Sequence, residues 1–189
     1  MTKSPYRNIL DEHDGEKVRN QIRWHKTTKF ILAGSAPEPW TIPDCLDIGD
    51  RSILTERLES LFRAYFASTT VDLDVEKLPA LGFDVITCFE VMEHLFNPLH
   101  CLLEMTKCLM PGGRIYLSTP RFKPHFLWGT HFHEMSDRSL FALLDRAGLR
   151  IVRKQKIFIM PWRSLLTGFR PWLRLIFDRV WLFELESAS

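Results

Sequence analysis

Apolar positions along this chain change period several times, and each change marks an element. Residues from about Asp11 to Leu32 have helical spacing, with one stripe through Val18, Ile22, His25 and Lys29 and a second through Trp24, Thr28 and Ile31. Gly34, Pro37, Pro39 and Pro43 then break the chain into a loop. Cys45-Leu-Asp-Ile-Gly49 is a short apolar run stopped by glycine, the mark of a buried strand. Ser52 to Phe62 returns to helical spacing through Leu54, Leu58 and Leu61, and a second strand falls within Ala64 to Leu73. Phe83 to Phe89 is nearly continuous in apolar residues, as in a parallel strand covered on both faces.

The second half repeats the alternation. Pro98 to Leu109 predicts a helix with proline in its first turn and Leu99, Leu102, Leu103 and Leu109 largely inward. Pro111-Gly-Gly113 predicts a turn, and Arg114 to Ser118 a strand. Ser136 can cap a helix carrying Leu140, Phe141 and Leu144 that stops at Gly148. Leu149 to Ile159 and Val180 to Glu186 are the last two strands, with Pro161 to Asp178 between them. Strands and helices alternating at these lengths predict an α/β fold: a doubly wound, mostly parallel sheet with helices on both faces. Ligands in such sheets bind at the carboxyl ends of the strands, where strand order switches. The residues to watch therefore follow Gly49, Leu73, Phe89 and Ser118.

Composition narrows the picture. The 189 residues fit one compact domain, and 46% hydrophobic with 25% charged is the balance of an ordinary globular protein. The expected layout is a helical leader or lid over residues 1–43, then a main domain over 44–189 with an insertion at 161–178. A net charge of +2 gives no global field favouring nucleic acid or an anionic membrane. Cys45, Cys88, Cys101 and Cys108 show neither CxxC pairing nor zinc-finger spacing, so they are expected to be buried, reduced thiols. That expectation, with no apolar leader in Met1 to Asp14, favours a cytoplasmic location.

Four segments in order carry a family resemblance. They are Cys45-Leu-Asp-Ile-Gly49, Phe83-Asp-Val-Ile-Thr-Cys-Phe-Glu-Val-Met-Glu-His-Leu95, Leu109-Met-Pro-Gly-Gly-Arg-Ile-Tyr-Leu-Ser-Thr-Pro120, and Gly129-Thr-His-Phe-His-Glu134 followed by Ala147-Gly148-Leu149. Together they resemble class I S-adenosylmethionine (SAM) methyltransferases, which have a Rossmann-like fold, over roughly Asp44 to Ile159. The resemblance implies SAM as cofactor, with Asp47 and Gly49 at its methionine end. It implies Asp72 as acceptor for the ribose hydroxyls. Asp74 is the alternative ribose acceptor or a partner for the adenine amino group, with Val75 beside it. Phe89 and Glu90 are expected to line the methionine side.

Two departures stand out. Gly49 is followed by Asp50-Arg51-Ser52, where the family's loop usually carries more glycine, so a negative side chain stands where the SAM carboxylate would lie. Arg51 is expected to offset that charge. The stretch from Asp72 to Phe83 is also too short for a helix and a strand, which predicts a sheet lacking one β–α unit and a shallower adenine pocket.

On the substrate side, Glu90, Glu93 and His94 share one helical face if a helix begins there. His94, His131 and His133 are the catalytic expectations, as general base or in positioning a small-molecule acceptor. The set Glu90, Glu93, His94 and His133 also resembles metal sites in two subfamilies, ubiquinone-pathway O-methyltransferases and enzymes methylating the 2′-hydroxyl of small-RNA 3′ ends. Such a set suits Mg²⁺ or Mn²⁺. No basic stripe with interleaved aromatics supports an RNA channel outside 161–178. That segment mixes Trp162, Phe169 and Trp172 with Arg163, Arg170 and Arg174, which fits packing on the sheet, a lipid-linked acceptor, peripheral membrane contact or a dimer surface. The rival from another class is a methyltransferase-like scaffold that has lost SAM.

Overall fold

The computed structural model describes residues 14–34, 42–69, 71–79, 82–122, 131–159 and 179–188. The insertion at 161–178 and the Gly129-Thr130 part of the fourth motif lie outside them. In chain order the elements are α1 (Asp14–Leu32), β1 (Cys45–Asp47), α2 (Ile53–Phe62), β2 (Phe66–Ser68), β3 (Phe83–Phe89), α3 (Pro98–Cys108), β4 (Leu109–Pro120), α4 (Asp137–Arg146), β5 (Leu149–Phe158) and β6 (Arg179–Ser187). A single 3₁₀ turn spans Met92–His94.

Local chemistry sets the boundaries. Ser52 and Thr55 form a reciprocal capping box at the start of α2, and Arg63 ends that helix in the left-handed conformation. Asn97 accepts from the His100 N–H, and Pro98 fills the first position of α3. Ser136 caps α4 through the Ser139 N–H. Every residue of β3 except Asp84 is buried, as its apolar run requires.

The six strands form one sheet in the order β2-β1-β3-β4-β6-β5. β2, β1, β3 and β4 pair in parallel, while β6 runs antiparallel to both β4 and β5. The chain moves outward from β1 to β2, then returns to the other side of β1 with β3. This places the switch point between β1 and β3. Among the described residues, no helix or further strand stands between Ser68 and Phe83, as the short spacing predicts. β2 is therefore the edge of the sheet, and its Phe66 N–H goes to the Glu59 carboxylate at 3.1 Å.

β4 departs from expectation at its start. Leu109 already pairs with Phe83, and the next pair is Val85 with Arg114, so the expected turn is a bulge inside a longer strand. A side chain at Gly113 would press within about 3 Å of the Met110 and Asp84 carbonyl oxygens, which explains glycine there.

Each face of the sheet has its own core. One holds α3 and α4 over Ile86, Ile115, Leu117 and Phe183. The other holds α1 and α2 over Val85, Tyr116, Ile157 and Leu182. α1 buries Trp24, Phe30 and Ile31 on that second face. Arg57 of α2 stacks over the Trp24 ring at 5.1 Å. The Lys26 ammonium donates to the Phe158 carbonyl, and Arg153 donates to the Phe30 carbonyl at 2.9 Å. α1 is thus fixed across the face from α2 to β5. All four cysteines are buried free thiols, and burial pushes Cys45 up to about 12.

Candidate active site

At the end of β1 the chain must turn sharply to reach α2. Asp47 is buried there, accepting from the Thr55 hydroxyl at 2.5 Å and the Thr87 hydroxyl at 2.6 Å. Burial raises its pKa to about 6, and the two hydroxyls act in the opposite direction. Gly49 has φ +112, a backbone that L side chains avoid, and its N–H donates to Thr69 Oγ1 at 2.7 Å. A side chain there would meet Val91 just past β3. Arg51 does not serve Asp50. It forms a two-pronged pair with Glu59, at 2.9 and 2.5 Å, on the outer side of α2.

The segment after β2 curls back along α3. Asp72 lies four residues past the end of β2, and its carboxylate accepts from the Asp74 N–H at 3.0 Å. Asp74 accepts from the Asn97 N–H at 2.7 Å, which ties the segment to the start of α3. Val75 is exposed on the rim.

β3 ends in a strained residue. Glu90 has φ +56 and is held there by Ser118 at the end of β4. The Ser118 hydroxyl donates to the Glu90 carboxylate at 2.7 Å and accepts from the Glu90 N–H at 3.1 Å. The other Glu90 oxygen faces the Arg23 guanidinium of α1 at 3.4 Å, both side chains being nearly buried. Arg23 Nε is buried without a hydrogen-bond partner among the described residues. Phe89, expected on the methionine side, belongs to the buried cluster that α1 and α2 share with the sheet.

One step further, Glu93, His94 and His131 each place a ligand atom within 4.8 Å of the others. Glu93 is 1% exposed, and its Oε2 has no hydrogen-bond partner among the described residues. Burial first, and the nearby Glu90 charge second, push its pKa well above the usual carboxylate range. The Glu93 carbonyl accepts from the Phe132 and His133 N–H groups, strapping the 131–135 loop to the 3₁₀ turn. His94 and His131 meet edge to face at 4.9 Å. The buried Glu134 carboxylate holds His131 Nδ1 at 2.8 Å. Of the four residues expected as metal ligands, Glu93 and His94 come together and His131 joins them. Glu90 is engaged by Ser118 and Arg23, and His133 by the Phe96 carbonyl at 3.2 Å.

Three residues at this crevice carry signals that a sequence reading passes over or weighs too little. Ser118 is visible only as the last residue of a strand. Glu134 stands out only as a carboxylate three residues after a histidine. Arg23 sits in a helix 67 residues before Glu90, and no local pattern connects them.

SAM requires a backbone it can approach closely, carboxylates for its sugar and base, and hydrogen-bonding groups for its charged end. Gly49 in its left-handed conformation, Asp72 and Asp74 on the neighbouring segment, and the Arg23 Nε, which has no hydrogen-bond partner among the described residues, fit that group.

Comparison with known proteins agrees with this geometry. The methyltransferase domain family model matches residues 36–154. A ubiquinone biosynthesis O-methyltransferase of Xanthomonas axonopodis pv. citri is 27% identical over 140 residues, covering 63% of this chain and 58% of that protein. The chain spans less than two thirds of the length of the curated relatives it matches first. Among solved structures, a chain of the complex between the Haloferax volcanii Trm112 methyltransferase activator and a methyltransferase superposes with TM-score 0.65 at 17% identity, over 93% of this chain and 95% of that one. The Burkholderia thailandensis 1,6-didemethyltoxoflavin-N1-methyltransferase, solved with S-adenosylhomocysteine, gives TM-score 0.60 at 12% identity, over 94% of this chain and 84% of that one.

Proposed function

This chain belongs to the methyltransferase domain family, and from that premise we propose that it transfers a methyl group from SAM to a small-molecule acceptor. The observation that carries the proposal is convergence: Gly49, Glu90 and the Glu93–His94–His131 cluster come from separate segments to the carboxyl ends of β1 and β3. The name of the curated relatives supports an oxygen atom as acceptor. Bound SAM supplies an electrophilic methyl on a sulfonium that is already a good leaving group. The chain supplies position: Gly49 admits the methionine end, and Asp72 and Asp74 take the sugar and base. His131, oriented by Glu134, or His94 would take the proton of the acceptor hydroxyl. Four buried thiols support a reducing, cytoplasmic setting.

Calorimetric titration with SAM and S-adenosylhomocysteine tests this. Micromolar binding, weakened at least tenfold in Asp72→Ala or Asp74→Ala, is the expected result. Folded protein that binds neither would leave the scaffold reading in its place.

The Glu93–His94–His131 grouping favours a second reading, in which a divalent cation at these residues polarises the acceptor oxygen. Stabilisation by Mg²⁺ or Mn²⁺ that disappears in Glu93→Ala would support it, and no shift with either ion would remove it. A lipid-linked acceptor is the narrower form of the main proposal, supported by the Trp- and Arg-rich composition of 161–178. Liposome co-sedimentation unchanged by deletion of that segment would exclude membrane contact there.

A further inference from the structure

Two phenylalanines stand beside the histidine cluster, and neither belongs to the core on either face of the sheet. Phe96 is 70% exposed and Phe132 50% exposed, yet their rings stack on each other, 4.2 Å between centroids and 28° from parallel. Phe96 lies two residues past His94, and Phe132 directly follows His131. Their backbones are held. The Phe132 N–H donates to the Glu93 carbonyl at 2.7 Å, and the Phe96 carbonyl meets the His133 ring nitrogen at 3.2 Å. One strap joins the 131–135 loop to the 3₁₀ turn and the other joins it to the approach to α3, so the stack is fixed next to His94 and His131. A rigid, solvent-exposed stacked pair favours one kind of guest. Another flat ring extends an offset stack, whereas a saturated ring gains only from burial. The neighbouring base makes the same choice. A phenolic hydroxyl has a pKa of about 10, as in tyrosine, within reach of a neutral imidazole; a saturated alcohol holds its proton far more tightly.

We propose that Phe96 and Phe132 form an aromatic platform that selects a planar, phenolic acceptor. The proposal rests on the methyl-transfer reading above and narrows its acceptor class. The acceptor ring stacks on the pair, and its hydroxyl is presented to His94 and His131. One histidine takes the hydroxyl proton, the oxygen bonds to the methyl carbon, and the carbon–sulfur bond breaks to leave S-adenosylhomocysteine. The two phenylalanines hold the ring and touch no reacting atom. Both are exposed, so exchanging them for leucine removes the ring faces at little cost to folding.

The test uses two probes with one carbon skeleton, 2-naphthol and decahydro-2-naphthol, of which only the first is flat. Calorimetry first gives the S-adenosylhomocysteine affinity of the full chain. Equilibrium dialysis with S-adenosylhomocysteine present then measures both probes on wild type, on the Phe96→Leu, Phe132→Leu double variant and on Tyr65→Leu. Tyr65 is a similarly exposed ring just before β2 and serves as the control. Wild type is expected to prefer 2-naphthol by about fivefold or more, the scale of one aromatic pair. The double variant is expected to reduce that preference to about twofold or less with S-adenosylhomocysteine affinity unchanged, and Tyr65→Leu to retain it. No preference in wild type overturns the proposal. So does a preference that survives in the double variant, which would belong to the acidity of the hydroxyl alone, and so does one that Tyr65→Leu also abolishes. If the double variant does not fold, Phe96→Leu and Phe132→Leu are read singly by the same criteria. A wild type that binds S-adenosylhomocysteine and neither probe overturns the platform and leaves the methyl-transfer reading standing. A wild type that binds no S-adenosylhomocysteine overturns both.

Discussion

Glu184 and Glu93 are both almost completely buried, and the fold treats them in opposite ways. Glu184 lies on β6, in the antiparallel end of the sheet. Its carboxylate meets Arg153 Nε at 2.5 Å and Arg114 Nε at 3.5 Å, and Arg153 also reaches back to the Phe30 carbonyl of α1. Glu93 lies past the end of β3, in the parallel part. One oxygen of each carboxylate makes no hydrogen bond among the described residues, but no cation forms an ion pair with Glu93 there, and Glu90 and Glu134 add like charge beside it. Removing a carboxylate from water is costly in either place. At Glu184 the guanidinium groups offset that cost, and the result joins α1, β4, β5 and β6. At Glu93 the cost is left standing beside two histidines, so the group is poised to take a proton or a cation. Burial identifies neither role, and the distinction lies in what surrounds the charge.

The comparison can be broken most forcefully at Glu184. Glu184→Ala leaves Arg153 without its carboxylate and Arg114 with Glu186 alone, and should lower unfolding stability by about 4 kcal/mol in urea denaturation. A loss near zero would mean that the pairing holds nothing together.

Asp47 extends the comparison to pH. Its folded pKa of about 6 lies above the unfolded value, so the native state keeps a proton that the unfolded chain releases. This contribution is full below pH 4 and is lost as pH rises through about 6, a change of about 3 kcal/mol. The difference between wild type and Asp47→Asn, followed by denaturation from pH 4 to 7, should show that slope. Glu93 contributes in the same direction, because its pKa is also raised. A flat difference curve would place Asp47 with the well-satisfied carboxylates.

Glu93→Gln should invert the Glu184 result. Folding stability at pH 7 should hold or rise, while the proposed methyl transfer drops about 100-fold, the scale of a proton transfer that Glu93 would share with His94 and His131. A large stability loss with activity retained would make Glu93 a second Glu184. The smallest effect serves as a yardstick. Ser136→Ala removes the α4 cap and should reduce stability by about 1 kcal/mol with S-adenosylhomocysteine affinity unchanged.

Much of this architecture was legible in the sequence because its signals are local. The β3 run, the cap at Ser136 and the short stretch between Asp72 and Phe83 each act within a few residues, and the structure follows them. The bulge at the start of β4 was hidden because Pro-Gly-Gly reads equally as a turn; pairing of Leu109 with Phe83 decides it. The site was legible in its residue types and less so in its partnerships. Arg51 sits next to Asp50 in sequence, yet α2 turns it toward Glu59. His131 and His133 are alike on paper, and it is Glu134 and the strapping to Glu93 that separate them. Arg23 belongs to a helix whose pattern announces only burial.

The edge strand has a consequence for how the molecule behaves in a crowd. An open strand end is a template on which another chain can add itself, the first step toward aggregation. A sheet that stops one β–α unit early would be expected to offer such a template. Here β2 is only three residues long, and the amide that a newcomer would need first is covered by Glu59, itself locked by Arg51. The loop departure that takes Arg51 away from the cofactor thus also closes the trimmed edge to self-association. A chain with that pair dissolved would be expected to clump on warming well before its core gives way.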